Sequence, residues 1–421
     1  MRRRDVLRGL ALAPLAAAAA CSGENEQTAP SGRARISYGV WDQLQVPAMQ
    51  EIIELFQQEH PDIEVELQVT PFSTYWTRIQ TSITGGGAPD VFWMNGPNIQ
   101  RFAHHGMLLP LSGRLADDGV DLAADHPANL VDLYAYQGEQ FGIPKDYDCI
   151  SLYYNRELFD AAGVPYPDET WTWDTVRDAV PEFRDTARRR YGISSALDRQ
   201  RNLYPTIFQN GGAVIVDGRS GFADEATIGG LRFWTDMINA GDAPHAMATA
   251  DTVGRSLFLS GQVAMYYGLP NDAVEAYDDP AIRDRTQLTV LPAGQRRGNV
   301  IHGLANVVNA HTRYPDAAYE LVRFMAGREA GEIQGASGTI LPSFAGTETA
   351  YLSSKPEFAL SSFVDQVQDC TAYPVSMQTN TWENLQNTYL AEAWIGDPSH
   401  DIAEASRALA AAMDDVLEQE G

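Results

Sequence analysis

The chain has 421 residues, of which 44% are hydrophobic and 10% are aromatic. This length exceeds what one ordinary core supports, so we expect a globular protein with two domains. Acidic residues outnumber basic residues 56 to 30, which gives a formal net charge of −26. A surface this acidic repels nucleic acid and anionic lipid headgroups, so neither is an expected partner.

The first twenty residues have the features of an export signal rather than of a folded element. Four arginines precede an alanine-rich apolar run that is too short to span a membrane. Residues 3–8 are similar to a twin-arginine signal, and residues 18–20 before Cys21 resemble a lipoprotein cleavage box. We therefore expect a signal peptide at residues 1–20, a lipid anchor on Cys21 and a flexible polar tether over 21–34. The alternative is a simple secretory signal that is cut elsewhere, with Cys21 discarded.

The elements that follow alternate between strand and helix patterns. Strands are predicted at residues 36–41, 63–69 and 90–94, and the apolar spacing between them predicts helices that end before Pro61 and at glycines 85–87. This order predicts a mainly parallel sheet with helices on its faces and a ligand crevice at the carboxyl ends of its strands. The same patterns predict a further strand at 149–154 and helices at 173–183, 228–240, 314–326 and 402–417.

Signatures of catalysis and of cofactor binding are absent from the sequence. We find no HExxH, GxSxG or P-loop pattern, so we expect neither an enzyme nor a cofactor. The adjacent His104 and His105 are interpreted as a solvated pair rather than as metal ligands, and no metal site is expected. Because acids are plentiful, the sequence leaves open a pair of glycosidase carboxylates.

Two cysteines, Cys149 and Cys370, follow the export segment and lie 221 positions apart. In an exported protein such a pair can form a disulfide, which requires that the two Cα atoms approach each other closely. The sequence leaves the disulfide and two free thiols as open alternatives.

Several segments together resemble one family, the extracellular solute-binding proteins of family 1, which includes maltose-type and multiple-sugar-type binding proteins. The matching segments occur in the family's order and extend over residues 36–417. They are FQQEHPDIEV at 56–65, GAPDVF at 87–92, GIP at 142–144 with LYYN at 152–155, WTW at 171–173, FLSGQVAM at 258–265, AAYELVRFM at 317–325 and GTILP at 338–342.

The resemblance implies a two-lobed α/β clamp of the type II periplasmic-binding-protein fold, whose chain passes three times between the lobes. The crossings are expected near residues 144–149, 291–299 and 340–344. The N-terminal lobe would comprise 35–146 and 297–341, and the C-terminal lobe 147–296 and 342–421. Such a clamp closes on its ligand by a hinge motion and then docks on the membrane permease of an ABC importer, so we expect a monomer whose partners are a small solute and that permease.

Residues that end strands or lie on the crossings are the candidates for ligand contact. Sugars pack their C–H faces on aromatic rings and pair their hydroxyls with polar side chains. Trp41 and Gln43 follow the first predicted strand, and Trp93 and Asn95 end the third. The resemblance implies further contacts on the crossings and in the second lobe: Asp146, Tyr147, Tyr204, Asn210, Tyr267, Gly268, His302, Gly303, Tyr373 and Trp382.

These features favour a sugar or a small oligosaccharide as the ligand. The acidic balance disfavours an anionic ligand, which would require clustered arginine or lysine side chains. Two alternatives remain at this point: a cationic solute such as a polyamine, held by acids and aromatic rings, and a secreted lipoprotein enzyme that acts on polysaccharide. In each case we expect the protein to be exported, at the outer face of the cytoplasmic membrane or in the periplasm.

Overall fold

The computed structural model describes residues 33–83, 87–245 and 254–420. The predicted signal peptide, the anchor Cys21, most of the tether and the glycines at 85 and 86 lie outside these residues. The strands, in chain order, are β1 (Ala34–Val40), β2 (Ile63–Val69), β3 (Val91–Asn95), β4 (Ala135–Tyr136), β5 (Glu139–Gln140), β6 (Gly142–Pro144), β7 (Asp146–Tyr147), β8 (Ser151–Asn155), β9 (Tyr191–Ile193), β10 (Ile215–Val216), β11 (Arg219–Ser220), β12 (Val263–Gly268), β13 (Thr286–Thr289), β14 (Asn299–Ile301), β15 (Leu304–Val308), β16 (Leu341–Pro342) and β17 (Cys370–Ala372).

The α-helices include every helix that the sequence patterns predict, with ends that shift by a few residues. In chain order they are Val46–Glu59, Phe72–Ile83, Gly96–His104, Ser112–Asp117, Leu122–Asp125, Ala128–Leu133, Arg156–Ala162, Trp173–Ala179, Tyr204–Gln209, Glu225–Ala240, Gly254–Leu259, Asp272–Asp278, Pro280–Arg283, Pro315–Met325, Arg328–Ser337, Glu348–Ser354, Ser361–Val364, Thr379–Leu390 and Ile402–Leu417. Within the described residues, none of the helices is both long and apolar enough to cross a bilayer.

The first lobe is built on a five-stranded sheet with the order β2-β1-β3-β15-β6. The helix Val46–Glu59 packs on this sheet because its apolar side chains recur every three or four residues, and Met49, Ile52 and Phe56 are all buried. Its first turn contains a proline, which is tolerated there because the backbone N–H groups of a first turn have no partner within the helix. A separate hydrophobic core therefore forms beneath the first lobe.

The second lobe is built on a four-stranded sheet with the order β13-β8-β12-β9. All six residues of β12 are buried, as expected for a central strand that is covered on both faces. The larger core packs around this sheet and extends into the first lobe as far as Phe92; it includes Trp234 and Trp394, which are both fully buried.

The two-lobed α/β architecture is confirmed, but the expectation of mainly parallel sheets is wrong in detail. In the first lobe β1 runs parallel to β2 and β3, whereas β15 runs antiparallel to both β3 and β6. In the second lobe only the β12–β9 pair is parallel. Successive βαβ units produce parallel neighbours, whereas a strand that enters a sheet after the chain has visited the other lobe is free to run in the opposite direction.

The chain passes between the two sheets in segments that lie side by side. The first and third predicted crossings pair with each other, since β7 forms an antiparallel bridge with β16. The second lies between the end of β13 and the start of β15, and its His302 pairs with Asp148 of the first. The crossings therefore form the floor between the lobes. The residue boundaries of the lobes stay a prediction.

Candidate ligand-binding site

A group of aromatic rings lies where β1 ends in the first lobe. Trp41 is half-buried, and its ring centroid lies 4.8 Å from that of Tyr75 and 5.1 Å from that of Trp93. Phe72 and Trp76 complete this aromatic cluster at 5.6 and 5.9 Å from Trp41. Phe72 is 56% exposed, so the cluster presents apolar ring surface to solvent. Such a surface suits the C–H face of a ligand.

The other predicted contacts of the first lobe differ in exposure. Gln43 is exposed on a single 3-10 turn whose N-cap is Asp42. Asn95 is half-buried, and its side-chain oxygen accepts a hydrogen bond from Asn98 at 2.7 Å. Trp93 is fully buried and donates its Nε1 hydrogen to the Tyr38 hydroxyl at 2.6 Å. Trp93 therefore supports the aromatic cluster from behind.

A buried charge pair lies in the floor of the cleft. Lys145 and Asp146 form an ion pair, and each side chain is only 1% exposed. Lys145 also donates to Gln45 Oε1 at 2.9 Å and lies 4.4 Å above the Trp93 ring. Asp146 Oδ1 accepts a hydrogen bond from the backbone of Leu304 at 2.7 Å. Burial raises the pKa of Asp146, and the ammonium of Lys145 acts in the opposite direction. The pair ties the first crossing to the loop after β1.

Two glycines of the predicted set are required by close approach. A Cβ atom on Gly303 would overlap the backbone of Asp146, because the second crossing passes directly over the first. The Gly303 carbonyl accepts a hydrogen bond from the buried Tyr134 hydroxyl. A Cβ atom on Gly268, at the end of β12, would lie 2.6 Å from the ring of Tyr153. Both glycines therefore allow dense packing behind the cleft.

Asp148 was not predicted from the sequence, and it is the most informative side chain of the first crossing. It is half-buried, and within the described residues its carboxyl group has no hydrogen-bond or ion-pair partner. Burial and the nearby Asp146 raise the pKa of Asp148 to about 8, although Arg201 and Lys145 act in the opposite direction. Asp148 therefore carries a proton at neutral pH and can donate a hydrogen bond as well as accept one.

Arg201 and Asp272 form the wall of the second lobe beside Asp148, and sequence reasoning missed both. Arg201 Nη2 lies 3.4 Å from Asp272 Oδ2 and Nη1 lies 3.2 Å from Asp198 Oδ2. Asp272 also accepts hydrogen bonds from the backbone of Leu269 and from the Tyr266 hydroxyl. The Arg201 guanidinium is therefore neutralised by two carboxylates before any ligand arrives.

A polar wall, formed by Tyr204, Tyr373, Glu383, Arg199 and Gln386, closes the opposite side of the second lobe. The Tyr373 hydroxyl donates to Glu383 Oε1 at 2.6 Å, and Arg199 Nε lies 3.5 Å from the same oxygen. The ring centroids of Tyr204 and Tyr373 are 5.2 Å apart, and Gln386 donates to the Tyr204 hydroxyl at 3.1 Å. Two of these residues, Tyr204 and Tyr373, were predicted, and the structure brings them together.

His302 connects this polar wall to the first lobe. Its Nε2 accepts a hydrogen bond from the backbone N–H of Gly96 at 3.2 Å, and its ring centroid lies 4.7 Å from that of Tyr373. Burial lowers the pKa of His302 from 6.5 to about 4, so the ring is neutral and able to accept at physiological pH. A second link joins the lobes where Asn380 donates to Asn98 Oδ1 at 3.0 Å.

The remaining predicted residues lie behind the cleft surface. Tyr147 is buried in β7, and Asn210 donates to the Ala226 carbonyl at 2.7 Å. Trp382 is fully buried and donates to Ser376 Oγ at 2.9 Å. Tyr267 is fully buried, and its hydroxyl has no partner within the described part of the chain. These four side chains support the site from the core rather than lining it.

The mouth of the cleft is open between the lobes. Leu44, exposed on the loop after β1, faces Val274, Glu275 and residues 278–280 of the second lobe across a cavity of about 600 Å³. A cavity of this size is typical of sites for small organic ligands.

The two cysteines lie close together at the floor. Their Sγ atoms are 3.0 Å apart, and both thiols are free.

Comparison with known proteins agrees with this architecture. The family model for bacterial extracellular solute-binding proteins matches residues 42–332. The solved structure of an ABC substrate-binding protein from Listeria monocytogenes, in complex with cycloalternan, superposes with a TM-score of 0.83 at 23% identity, covering 92% of this chain and 99% of that one.

Two relatives were compared by sequence. A galactooligosaccharide-binding protein of Bacillus subtilis is 22% identical over 323 residues, covering 74% of this chain and 73% of the relative. An uncharacterised lipoprotein of Streptomyces antibioticus is 30% identical over 283 residues, covering 63% of this chain and 59% of the relative. Because the family model spans more than half of the sequence, this chain belongs to the family of bacterial extracellular solute-binding proteins.

Proposed function

We propose that this protein binds a neutral sugar or small oligosaccharide in the interlobe cleft and delivers it to the membrane permease of an ABC importer. The family is one of solute-binding proteins, and the Bacillus subtilis relative is named for binding galactooligosaccharides. The Listeria monocytogenes protein with the same fold was solved in complex with cycloalternan. These likenesses support a carbohydrate ligand and a binding role rather than catalysis.

One observation carries the choice of a neutral ligand: the site combines open ring surface with a polar side chain that lacks a protein partner. The aromatic cluster offers a face for stacking, and Asp148 offers a carboxyl group for a hydroxyl. The cations around the floor are already paired, since Lys145 contacts Asp146 and Arg199 contacts Glu383. In the part of the chain that the structure describes, no cation of the floor is left unpaired to neutralise an anionic ligand.

The lobe arrangement supports binding by closure. The aromatic cluster belongs to the first lobe, whereas Arg201 and the polar wall belong to the second. A ligand that contacts both sides stabilises the closed state, because its interactions are complete only when the lobes approach each other. The crossings form the hinge on which this motion turns.

Export and membrane attachment are part of the same proposal. The arginine-rich start, the apolar run and Cys21 support a twin-arginine signal peptide at residues 1–20 and a lipid anchor at Cys21. The similarity to a lipoprotein of Streptomyces antibioticus supports this anchor. The protein would then work as a monomer at the outer face of the membrane.

A ligand screen tests the proposal. The chain without residues 1–21 is heated in the presence of mono-, di- and oligosaccharides, polyamines and amino acids, and each hit is measured by calorimetry. A ligand present at 100 times its dissociation constant adds about 2.7 kcal/mol to the free energy of unfolding. We expect a saccharide to bind with one-to-one stoichiometry and to be recovered unchanged. A shift from a polyamine alone would contradict the sugar assignment, and consumption of a glycoside would contradict the transport role.

The variant Asp148→Ala ties any hit to this cleft. Loss of the unpartnered carboxyl group should weaken saccharide binding at least tenfold, or about 1.4 kcal/mol. The control Asp174→Ala removes an exposed acid of the helix Trp173–Ala179 and should leave the affinity unchanged. Equal affinities in both variants would place the sugar elsewhere.

A further inference from the structure

The two cysteines of the folded body meet at the floor of the cleft. Cys149 follows Asp148 on the first crossing and is fully buried, whereas Cys370 begins β17 and is half-buried. Their Sγ atoms lie 3.0 Å apart although 221 positions separate the residues in the sequence. Both are free thiols in this structure.

The backbone around both thiols is held by buried hydrogen bonds. The side chain of Asn299 in β14 accepts from the backbone N–H of Ile150 and donates to its carbonyl at 2.8 Å. The Gln366 side chain donates to the same Ile150 carbonyl at 3.1 Å. The backbone carbonyl of Gln366 accepts a hydrogen bond from the Cys370 thiol at 3.3 Å. Asn299 is also the neighbour of Cys370 in the β14–β17 pair. The same residue therefore holds the backbone next to Cys149 and lies beside Cys370, which keeps the two thiols close together.

We propose that Cys149 and Cys370 form a disulfide in the exported protein, which cross-links the first crossing to the strand that leads into Tyr373. Exported proteins mature in an oxidising compartment, where such a pair persists as a disulfide. The oxidant is a second disulfide, carried by a small molecule or by an oxidoreductase. The bond requires a short approach of the two sulfur atoms and no change of topology.

The exchange balances in two steps. The half-buried Cys370 loses its proton to solvent and attacks the oxidant disulfide as a thiolate. One sulfur of the oxidant departs as a thiolate and takes up a proton from solvent, which leaves a mixed disulfide on Cys370. Cys149 then attacks the Cys370 sulfur, transfers its proton to the departing second thiolate and completes the bond. Two protein thiols are thereby oxidised and one oxidant disulfide is reduced to two thiols. Burial raises the pKa of the Cys149 thiol well above its usual range, which is consistent with the second role rather than the first.

The cross-link would also fix a wall of the ligand site. β17 runs parallel to β14 and leads directly into Tyr373, whose backbone N–H donates to the Ile301 carbonyl at 2.9 Å. Tyr373 in turn contacts His302 on the second crossing. This consequence for ligand binding rests on the proposed function, whereas the bond itself does not.

The bond is tested on the full chain carrying Cys21→Ser, so that only two thiols can react. The protein is produced under reducing conditions, incubated with oxidised glutathione, denatured and alkylated, and its mass is measured. We expect two alkyl groups on the reduced chain and none on the oxidised chain, whose mass is lower by about two hydrogens than that of the reduced chain before alkylation. The melting temperature should rise by roughly 3 to 6 °C on oxidation, because the bond closes a long loop in the unfolded chain.

Single variants provide the matched controls. The chain with Cys21→Ser and Cys149→Ser keeps the half-buried Cys370 thiol. On treatment with oxidised glutathione it should acquire one glutathione adduct, and its melting temperature should not rise. Two alkylated thiols, or two glutathione adducts, in the two-cysteine chain after oxidation would overturn the proposal. No sugar is used in these measurements, so failure of the ligand screen would contradict the proposed function alone. A tenfold loss of sugar affinity on reduction of the bridged protein would extend the role of the bridge to the site.

Discussion

The two sides of the cleft are built from different chemistry. The aromatic cluster of the first lobe consists of rings that contact each other edge to face, with half-buried Trp41 at its centre and exposed Phe72 at its rim. The polar wall of the second lobe consists of buried groups that satisfy one another, as in the contacts of Tyr373 and Arg199 with Glu383. One side offers surface, whereas the other offers fixed hydrogen-bonding geometry.

This difference has a physical reason. Contact between an apolar ring and any complementary apolar face is favourable and needs little precise orientation, so the rings can stay partly exposed before a ligand binds. A buried polar group without a hydrogen-bond partner destabilises the folded protein, so the hydrogen bonds of the polar wall must be complete before the ligand arrives. A ligand can therefore dock first on the rings and be oriented afterwards by the polar wall. Substitutions in the floor, in the aromatic cluster and in the polar wall separate the contributions of these three parts.

The largest effect is expected where the floor joins the two sides. Gly303→Ala places a methyl group against the backbone of Asp146, which cannot retreat because its own carboxylate is held by Lys145 and Leu304. We expect the free energy of unfolding to fall by about 3 kcal/mol or more, measured by urea denaturation. Gly113→Ala, on the helix Ser112–Asp117, is the control, since no atom lies within 4 Å of its added methyl group. Equal midpoints in both variants would contradict the close approach of the crossings.

The second largest effect is expected on ligand binding, when the centre of the aromatic cluster is removed. Trp41→Ala deletes the ring that contacts Tyr75 and Trp93 and should lower sugar affinity roughly tenfold in calorimetry. The control Tyr166→Ala removes an exposed aromatic ring that contacts Tyr154 and Phe159, outside the cleft. If both variants bind alike, the aromatic cluster is not a ligand surface.

The raised pKa of Asp148 makes stability depend on pH. The folded carboxyl group titrates at about 8, compared with about 3.9 in an unfolded chain, so its ionisation opposes folding progressively as the pH rises from 4 to 8. Asp148→Asn removes this penalty. We expect the variant to melt several degrees above the parent chain at pH 8 and at nearly the same temperature at pH 4. A constant difference at every pH would mean that Asp148 is ionised throughout.

The smallest effect is expected inside the polar wall. Tyr373→Phe removes the hydroxyl that donates to Glu383, and Arg199 remains to hold that carboxylate. The free energy of unfolding should fall by about 1 kcal/mol in urea denaturation. Tyr389→Phe, an exposed position on the helix Thr379–Leu390, should have no effect. A larger loss of sugar affinity than of stability would show that the wall orients the ligand.

Local patterns predicted most of the fold correctly. The alternating residues of 63–69 form β2 as expected, and the apolar stripe of the last helix has the same bounds, Ile402–Leu417, in the sequence pattern and in the structure. The direction of β15 was not predictable in the same way, because its antiparallel pairing with β3 depends on the route of the chain through the other lobe.

The ligand contacts named from the sequence stay a prediction, but the structure shows where each of these side chains lies. Trp41, Tyr204, His302 and Tyr373 lie at or beside the cleft, because strand ends and crossings meet there in this architecture. Trp93, Tyr267 and Trp382 occur in similar sequence contexts but are fully buried behind the cleft, and Tyr204 is as deeply buried as they are although its ring contacts Tyr373. Asp148 and Arg201 were missed, since their sequence neighbours carry no pattern and their importance comes from charges that are distant in the chain.

By itself, the sequence determined the positions of the strands and helices, the two-domain size, the export signal as a prediction and the likeness to one family. These properties depend on neighbouring residues, or on segments whose order along the chain is informative. The tertiary structure decided which rings are exposed, which acids are paired, and that Cys149 meets Cys370. Several of those outcomes depend on contacts between residues that are distant in the chain, such as Arg199 with Glu383 and Cys149 with Cys370, and burial and local charge arise only after the chain has folded.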